Sequence, residues 1–305
     1  MLSDNPDSAQ SLWGINNDSL EYNPNSNRTR FGIFMTGLVS LFTAIAIIPL
    51  FVVLSYLIIN GIEHISFNSF FELPPQALTQ DPGGFGNALI GTLIMVGIGL
   101  ALSVPIGIMA GIYLSEFSHP NIAYWLRFAT NVLSGVPSII VGTFAYGVLV
   151  VTFKSYSAWA GGFALAILML PIIVRTTDEA LQLISQDIRQ ASVGVGANDY
   201  QTVLQIVIPS AVPAIVTGVT LAVARAAGET APLIYTAGFN QFWPDLKLQA
   251  LSSQPIASLS VLIYQFGISP YENQQQLAWA ASFILMILVM LSNIVARIAT
   301  TKRNF

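Results

Sequence analysis

The 305-residue chain has no cysteine, which excludes disulfides, thiolate chemistry and cysteine-based metal sites. Charge is nearly as scarce. Asp, Glu, Lys and Arg together make up 9% of residues, against about 25% in soluble domains, and an ordinary aqueous surface cannot be built from so few. The two histidines, His64 and His119, stand in no ligand spacing, so a metal site is not expected. No basic run points to nucleic acid, and the formal net charge is only −4. There is no G-x-x-x-x-G-K-[ST] phosphate loop, so a nucleotide is not expected to bind here. What the chain has instead is apolar length. Hydrophobic residues make up 54% and the mean hydropathy is +0.67. The 23 glycines and 16 prolines are spread through the apolar stretches, as transmembrane helices tolerate. The composition predicts an all-α integral membrane protein.

Six apolar spans are expected, near 32–59, 88–114, 126–153, 159–174, 211–237 and 277–299. At about 1.5 Å per residue each can cross or nearly cross a hydrocarbon core of about 30 Å. The third is interrupted at Ser134-Gly135-Val136-Pro137. A shorter apolar stretch, 256–266, reads as an interfacial or re-entrant helix. Residues 1–30 are polar, rich in Asn, Ser and Asp, and read as a disordered tail; residues 31–300 form the membrane domain and 301–305 a short C-terminal tail. The first span is too long for a cleaved leader.

Lys and Arg set the orientation. Arg28, Arg30, Arg127, Arg175, Arg189, Arg297, Lys302 and Arg303 fall on one side, and Lys154 and Lys247 on the other. Eight against two puts both termini in the cytoplasm. Residues 175–209 then form the long cytoplasmic loop, where a cytoplasmic partner would grip. The eleventh basic residue, Arg225, lies inside the fifth span.

That loop reads Gln190-Ala191-Ser192, then Gly196, then Ile206, Ile208 and Pro209. The small residues suit close docking in a groove, Gly196 suits a turn between two short helices, and Pro209 suits the start of the next helix. The pattern resembles the coupling loop of binding-protein-dependent ABC importer permeases, Glu-Ala-Ala, three residues, Gly, nine residues, Ile-x-Leu-Pro. Gln190 replaces the Glu, Ser192 the second Ala and Ile208 the Leu. Further stretches resemble phosphate-importer permeases of the PstA type: 83–93, 104–116, 133–140, 170–177 and, most specifically, Ala224-Arg225-Ala226-Ala227-Gly228-Glu229-Thr230-Ala231-Pro232. The resemblance covers about residues 31–300.

It implies the six-helix type I importer permease fold in a bacterial plasma (inner) membrane and an alternating-access cycle. It also implies a set of partners: a related PstC-type permease, two PstB-type ATPase subunits that bind ATP and Mg, and a PstS-type phosphate-binding protein on the outer side. The chain itself would be no enzyme and carry no cofactor. An importer for another oxyanion or small solute is the nearest alternative. A membrane enzyme would show paired intramembrane Asp, a Ser with His or a metal cluster, and a secondary transporter an internal repeat; neither signal is present.

Near the bilayer centre a charge costs about 2.5–3.5 kcal/mol by insertion scales, so Arg225 and Glu229 need a reason. Spaced by four residues they share a helix face. They form either an ion pair that fixes packing, or a site in which Arg225 briefly engages an oxyanion, Glu229 holds it and Thr230 adds a hydroxyl. Arg175 is a further candidate, at the exit. Ala224, Ala227, Gly228 and Ala231 are expected on one small-residue face, against either the second permease or a helix of this chain.

Overall fold

The computed structural model describes residues 27–79 and 81–301, so Lys302 and Arg303, and most of the N-terminal tail, lie outside the described residues. Helices are α1 (Asn27–Glu63), α2 (Gly86–Phe117), α3 (Pro120–Ser134), α4 (Ser138–Phe153), α5 (Ala158–Gln182), α6 (Gln186–Gly194), α7 (Asp199–Ala227), α8 (Ala231–Thr236), α9 (Leu248–Ser253), α10 (Leu259–Gly267) and α11 (Glu272–Thr301). Helices α2, α4 and α7 each contain one wide π-helical turn, at Tyr113–Phe117, Tyr146–Val150 and Val203–Val207.

Among the described residues five helices, α1, α2, α5, α7 and α11, are long and apolar enough to cross a membrane, and there are six spans if the bent pair α3–α4 counts as one. The chain divides into two units at Tyr56. The first, as far as it is described, is the bulk of α1, in which Thr36 and Thr43 donate to the carbonyls four residues back. A hydroxyl in a lipid-facing helix can be satisfied in this way without a partner helix.

The second unit, from Leu57 onward, is built on α5. Gly99 of α2 faces Leu165 and Met169, Gly107 faces Ile173, and Gly111 faces Thr177, so the two helices run parallel in close contact. A Cβ on Gly107 would lie 2.8 Å from Ile173 Cγ2, and one on Gly111 2.6 Å from Thr177 Cβ. Backbones come this near only where a residue has no side chain. Gly97, on the same helix, faces open space. Helix α7 crosses α5 in the opposite direction: Ala211 and Ile215 cluster with Ala180 and Leu181, Gly218 takes Thr176, and Ala222 and Ala226 share a buried cluster with Leu165 and Met169.

Two expectations change. Helix α5 continues to Gln182, two turns past Val174, because the polar residues after Arg175 include good helix formers and side-chain pairs four apart. The fifth span is not one helix to residue 237: α7 stops at Ala227, and Gly228-Glu229-Thr230 separates it from α8. The stretch 256–266 is a short helix, as expected, and packs inside the chain. It forms α10, capped by Ser258, and it is buried against Ala88 of α2 and Leu277, Ala280 and Ala281 of α11.

Candidate functional site

The loop after α5 folds into a helical elbow. Helix α6 carries Gln190, Ala191 and Ser192; α7 begins after Asn198. Between them Gly196 has φ +96°, a left-handed conformation that costs an L-residue about 1–2 kcal/mol. A Cβ there would meet nothing within 4 Å in this chain, so backbone conformation demands the glycine, not crowding. Asn198 Oδ1 accepts from the Gln201 backbone at 2.8 Å, and Gln201 Oε1 from the Asn198 backbone at 3.0 Å. This reciprocal cap satisfies two orphan donors at the start of α7. Ser192 and Thr202, both buried, share a hydrogen bond of 2.9 Å across the elbow.

The outer surface of the elbow is apolar. Val193, Val195, Tyr200 and Leu204 are exposed, as are Gln190 and Ala191. Ile206 and Ile208 are half-buried. Pro209 stands in the first turn of the regular α-helical stretch Ile208–Ala227, as its sequence position suggested. It lies inside α7, just after the wide turn, where the Ile208 N–H reaches back to Val203 O. That wide turn shifts the hydrogen-bond ladder at the point where proline supplies no donor.

Arg225 sits in the last turn of α7, where a cation faces the negative end of the helix dipole. Its Nε donates to Glu229 Oε1 at 3.4 Å; the Arg225 side chain is 46% exposed and that of Glu229 16%. The break carrying Glu229 and Thr230 is held from two sides. Ser260 Oγ of α10 donates to Glu229 O at 2.7 Å, and Pro232 of α8 packs directly on Gly142 of α4. The span 3 break bends the chain by 96° between α3 and α4, so the segments that follow the two breaks, α4 and α8, meet beside the charged pair. The helix break also removes the single face expected for Ala224, Ala227, Gly228 and Ala231: Ala227 is buried within this chain and Gly228 is exposed.

Arg175 does not join Arg225. Its neighbour Thr176 packs on Gly218, seven residues before Arg225, or about 10 Å along the helix. Arg175 instead pairs with Glu179 at 2.7 Å, both side chains more than half exposed, a geometry that contributes little to stability. It borders a cavity of about 200 Å³ shared with Arg127, Thr130, Asn131 and Asp178. There Arg127 grips the buried Asp178 with two N–H donors, at 2.7 and 2.9 Å, and Gln182 adds a third at 2.7 Å. Among the described residues no cluster of His, Asp or Glu could hold a metal ion.

Residues 103–303 match the family described as binding-protein-dependent transport system inner membrane component. The chain is 40% identical over 265 residues to the phosphate transport system permease protein PstA of Haemophilus influenzae, covering 87% of this chain and 92% of that one. It is 40% identical over 254 residues to the PstA of Pasteurella multocida (83% and 88%). A probable PstA of Methanocaldococcus jannaschii is 30% identical over the same length and shares (83% and 88%). Two solved structures share the fold. The bacterial alginate ABC transporter gives a TM-score of 0.61 at 14% identity, over 90% of this chain and 96% of that one. An inward-facing MetNI methionine ABC transporter gives 0.55 at 20% identity (72% and 94%).

Proposed function

The chain belongs to the family of binding-protein-dependent transport system inner membrane components, and on that footing we propose that it is the membrane-spanning subunit of an importer for inorganic phosphate. The observation that carries the phosphate reading is identity to phosphate permeases across nearly the whole length of both chains. The mechanical part rests on the elbow: two short helices set by Gly196, with an exposed apolar face.

In this reading the chain works in a bacterial plasma membrane with both termini and the elbow in the cytoplasm, supported by the bias of Lys and Arg. An ATPase subunit, in the PstB role, grips α6 and α7, and supplies ATP and Mg; this chain binds neither. A second, PstC-type permease completes the pathway, and a PstS-type binding protein delivers phosphate from outside. Phosphate passes beside the break after α7. Arg225 is suited to it, since guanidinium stays charged and offers a fork to phosphate oxygens. The long, single contact to Glu229 holds the fork without saturating it. Thr230 adds a hydroxyl at the same break. Arg175, whose neighbour Thr176 packs on Gly218 toward the elbow end of α7, meets the anion later and releases it from an exposed, weakly held pair.

The test is transport by the complex that co-purifies with this chain. ATP-dependent uptake of inorganic phosphate supports the reading. Uptake of another oxyanion in its place, with phosphate ignored, removes the phosphate assignment.

A further inference from the structure

Helix α6 buries one residue, Ser192. It therefore has no apolar core of its own through which to push on the membrane domain. Between it and the end of α2 lies a cavity of about 610 Å³, bordered by Glu116, Arg189, Val193, Tyr200 and Val203 among others. Continuous packing does not join α6 to the spans; a few contacts do.

The strongest of these is made by one side chain. Arg189 of α6 pairs through Nη1 with Glu116 in the π-helical turn that ends α2. Its Nη2 donates to Leu181 O, at the end of α5, at 2.9 Å. Ser115 Oγ donates to the same carboxylate at 3.1 Å. One guanidinium thus joins α6 to the ends of two spans, α2 and α5, which are themselves packed glycine to side chain. The pair is withdrawn from water, with side-chain exposures of 17% for Arg189 and 6% for Glu116. Arg189 Nε is buried with no partner. Beside it Phe117 stacks on Tyr200 of α7, ring centroids 5.3 Å apart.

A buried ion pair is a poor choice if stability is the aim, since desolvation offsets most of the attraction and apolar packing does as well. It is directional, however, and it fixes register between elements that must move together. Its seat is a π turn, a local irregularity of the kind frequent at functional sites. We propose that Arg189 and Glu116 are positioning residues that carry the displacement of α6 into α2 and α5, so that ATP use and phosphate passage stay linked. This rests on the coupling role assigned above to α6 and α7.

The experiment uses the complete complex in proteoliposomes and reads inorganic phosphate transported per ATP hydrolysed. In each variant a cysteine at Ala191 is cross-linked to the ATPase subunit as a measure of docking. Glu116→Gln and Arg189→Gln are expected to keep the cross-link and ATP hydrolysis. Their transport per ATP falls at least about fivefold, the lower end of typical coupling between two sites. Arg189→Lys, which keeps a charge facing Glu116, holds the ratio above that of Arg189→Gln. An unchanged ratio in both neutral variants overturns the proposal, as does loss of assembly or of the cross-link in them, which makes the pair an assembly contact. Absence of the cross-link in the chain carrying Ala191→Cys alone overturns the underlying coupling role instead.

Discussion

Ser192 Oγ and Thr202 Oγ1 lie 2.9 Å apart and buried, one on each arm of the elbow, ten residues apart in sequence. The hydrogen bond sets the angle between α6 and α7 where no apolar core does. Replacing one partner leaves the other hydroxyl buried and unsatisfied, at a cost of about 1–3 kcal/mol. Thr202→Val, nearly the same shape, should therefore loosen residues 186–202. Hydrogen exchange on the purified complex should show faster exchange there and no change in α2 or α5. Ser192→Ala combined with Thr202→Val should cost less than the two single changes added together.

Gly196 and Gly194 separate two explanations of a glycine. Gly196 needs its positive φ, whereas Gly194 is the last helical residue of α6 with open space at its Cβ position. Gly196→Ala should cost about 1–2 kcal/mol and weaken cross-linking between a cysteine at Ala191 and the ATPase. Gly194→Ala should leave that cross-linking unchanged. Equal effects at the two positions would mean that surface smoothness, not backbone conformation, is what matters.

For Arg225 the discriminating comparison is between loss of charge and loss of the pair. Arg225→Gln should abolish phosphate uptake while the complex still assembles and binds its ATPase. Arg225→Lys should recover little, because an ammonium lacks the planar fork. If Arg225→Gln prevents assembly, and adding Glu229→Gln restores uptake, the pair serves packing alone.

Within α2, Gly107→Val drives a side chain into Ile173. Overpacking of this kind costs about 1–3 kcal/mol and should lower the amount of folded chain recovered from membranes, measured by detergent-resistant yield and thermal inactivation. Gly97→Val, which faces open space within the chain, should not. The contrast tests the parallel packing of α2 on α5 without reference to transport.

Much of this architecture is legible from long apolar runs. The break in span 3 shows because Gly135 and Pro137 stand together. The break after Ala227 does not, because a lone glycine is tolerated in apolar helices and Glu229 reads equally well as the partner of Arg225 four residues earlier on a continuing helix. The elbow was visible through its spacing, though Asn198 and Gln201 fell outside the pattern despite standing at capping-box spacing. Arg189 and Glu116 were out of reach. Each reads alone as a charge beside a span, and a separation of 73 positions in sequence carries no local signal of pairing. Only the fold brings α6 beneath the end of α2.

The most direct test of the central claim is phosphate uptake into proteoliposomes holding the complex isolated through this chain, with ATP supplied only on the side that the Ala191 loop faces. The account predicts phosphate accumulation that requires ATP on that side and the binding protein on the other, and that is lost in Arg225→Gln. Accumulation that proceeds without ATP, or an ATP-driven complex that moves a different solute and leaves phosphate outside, would contradict it.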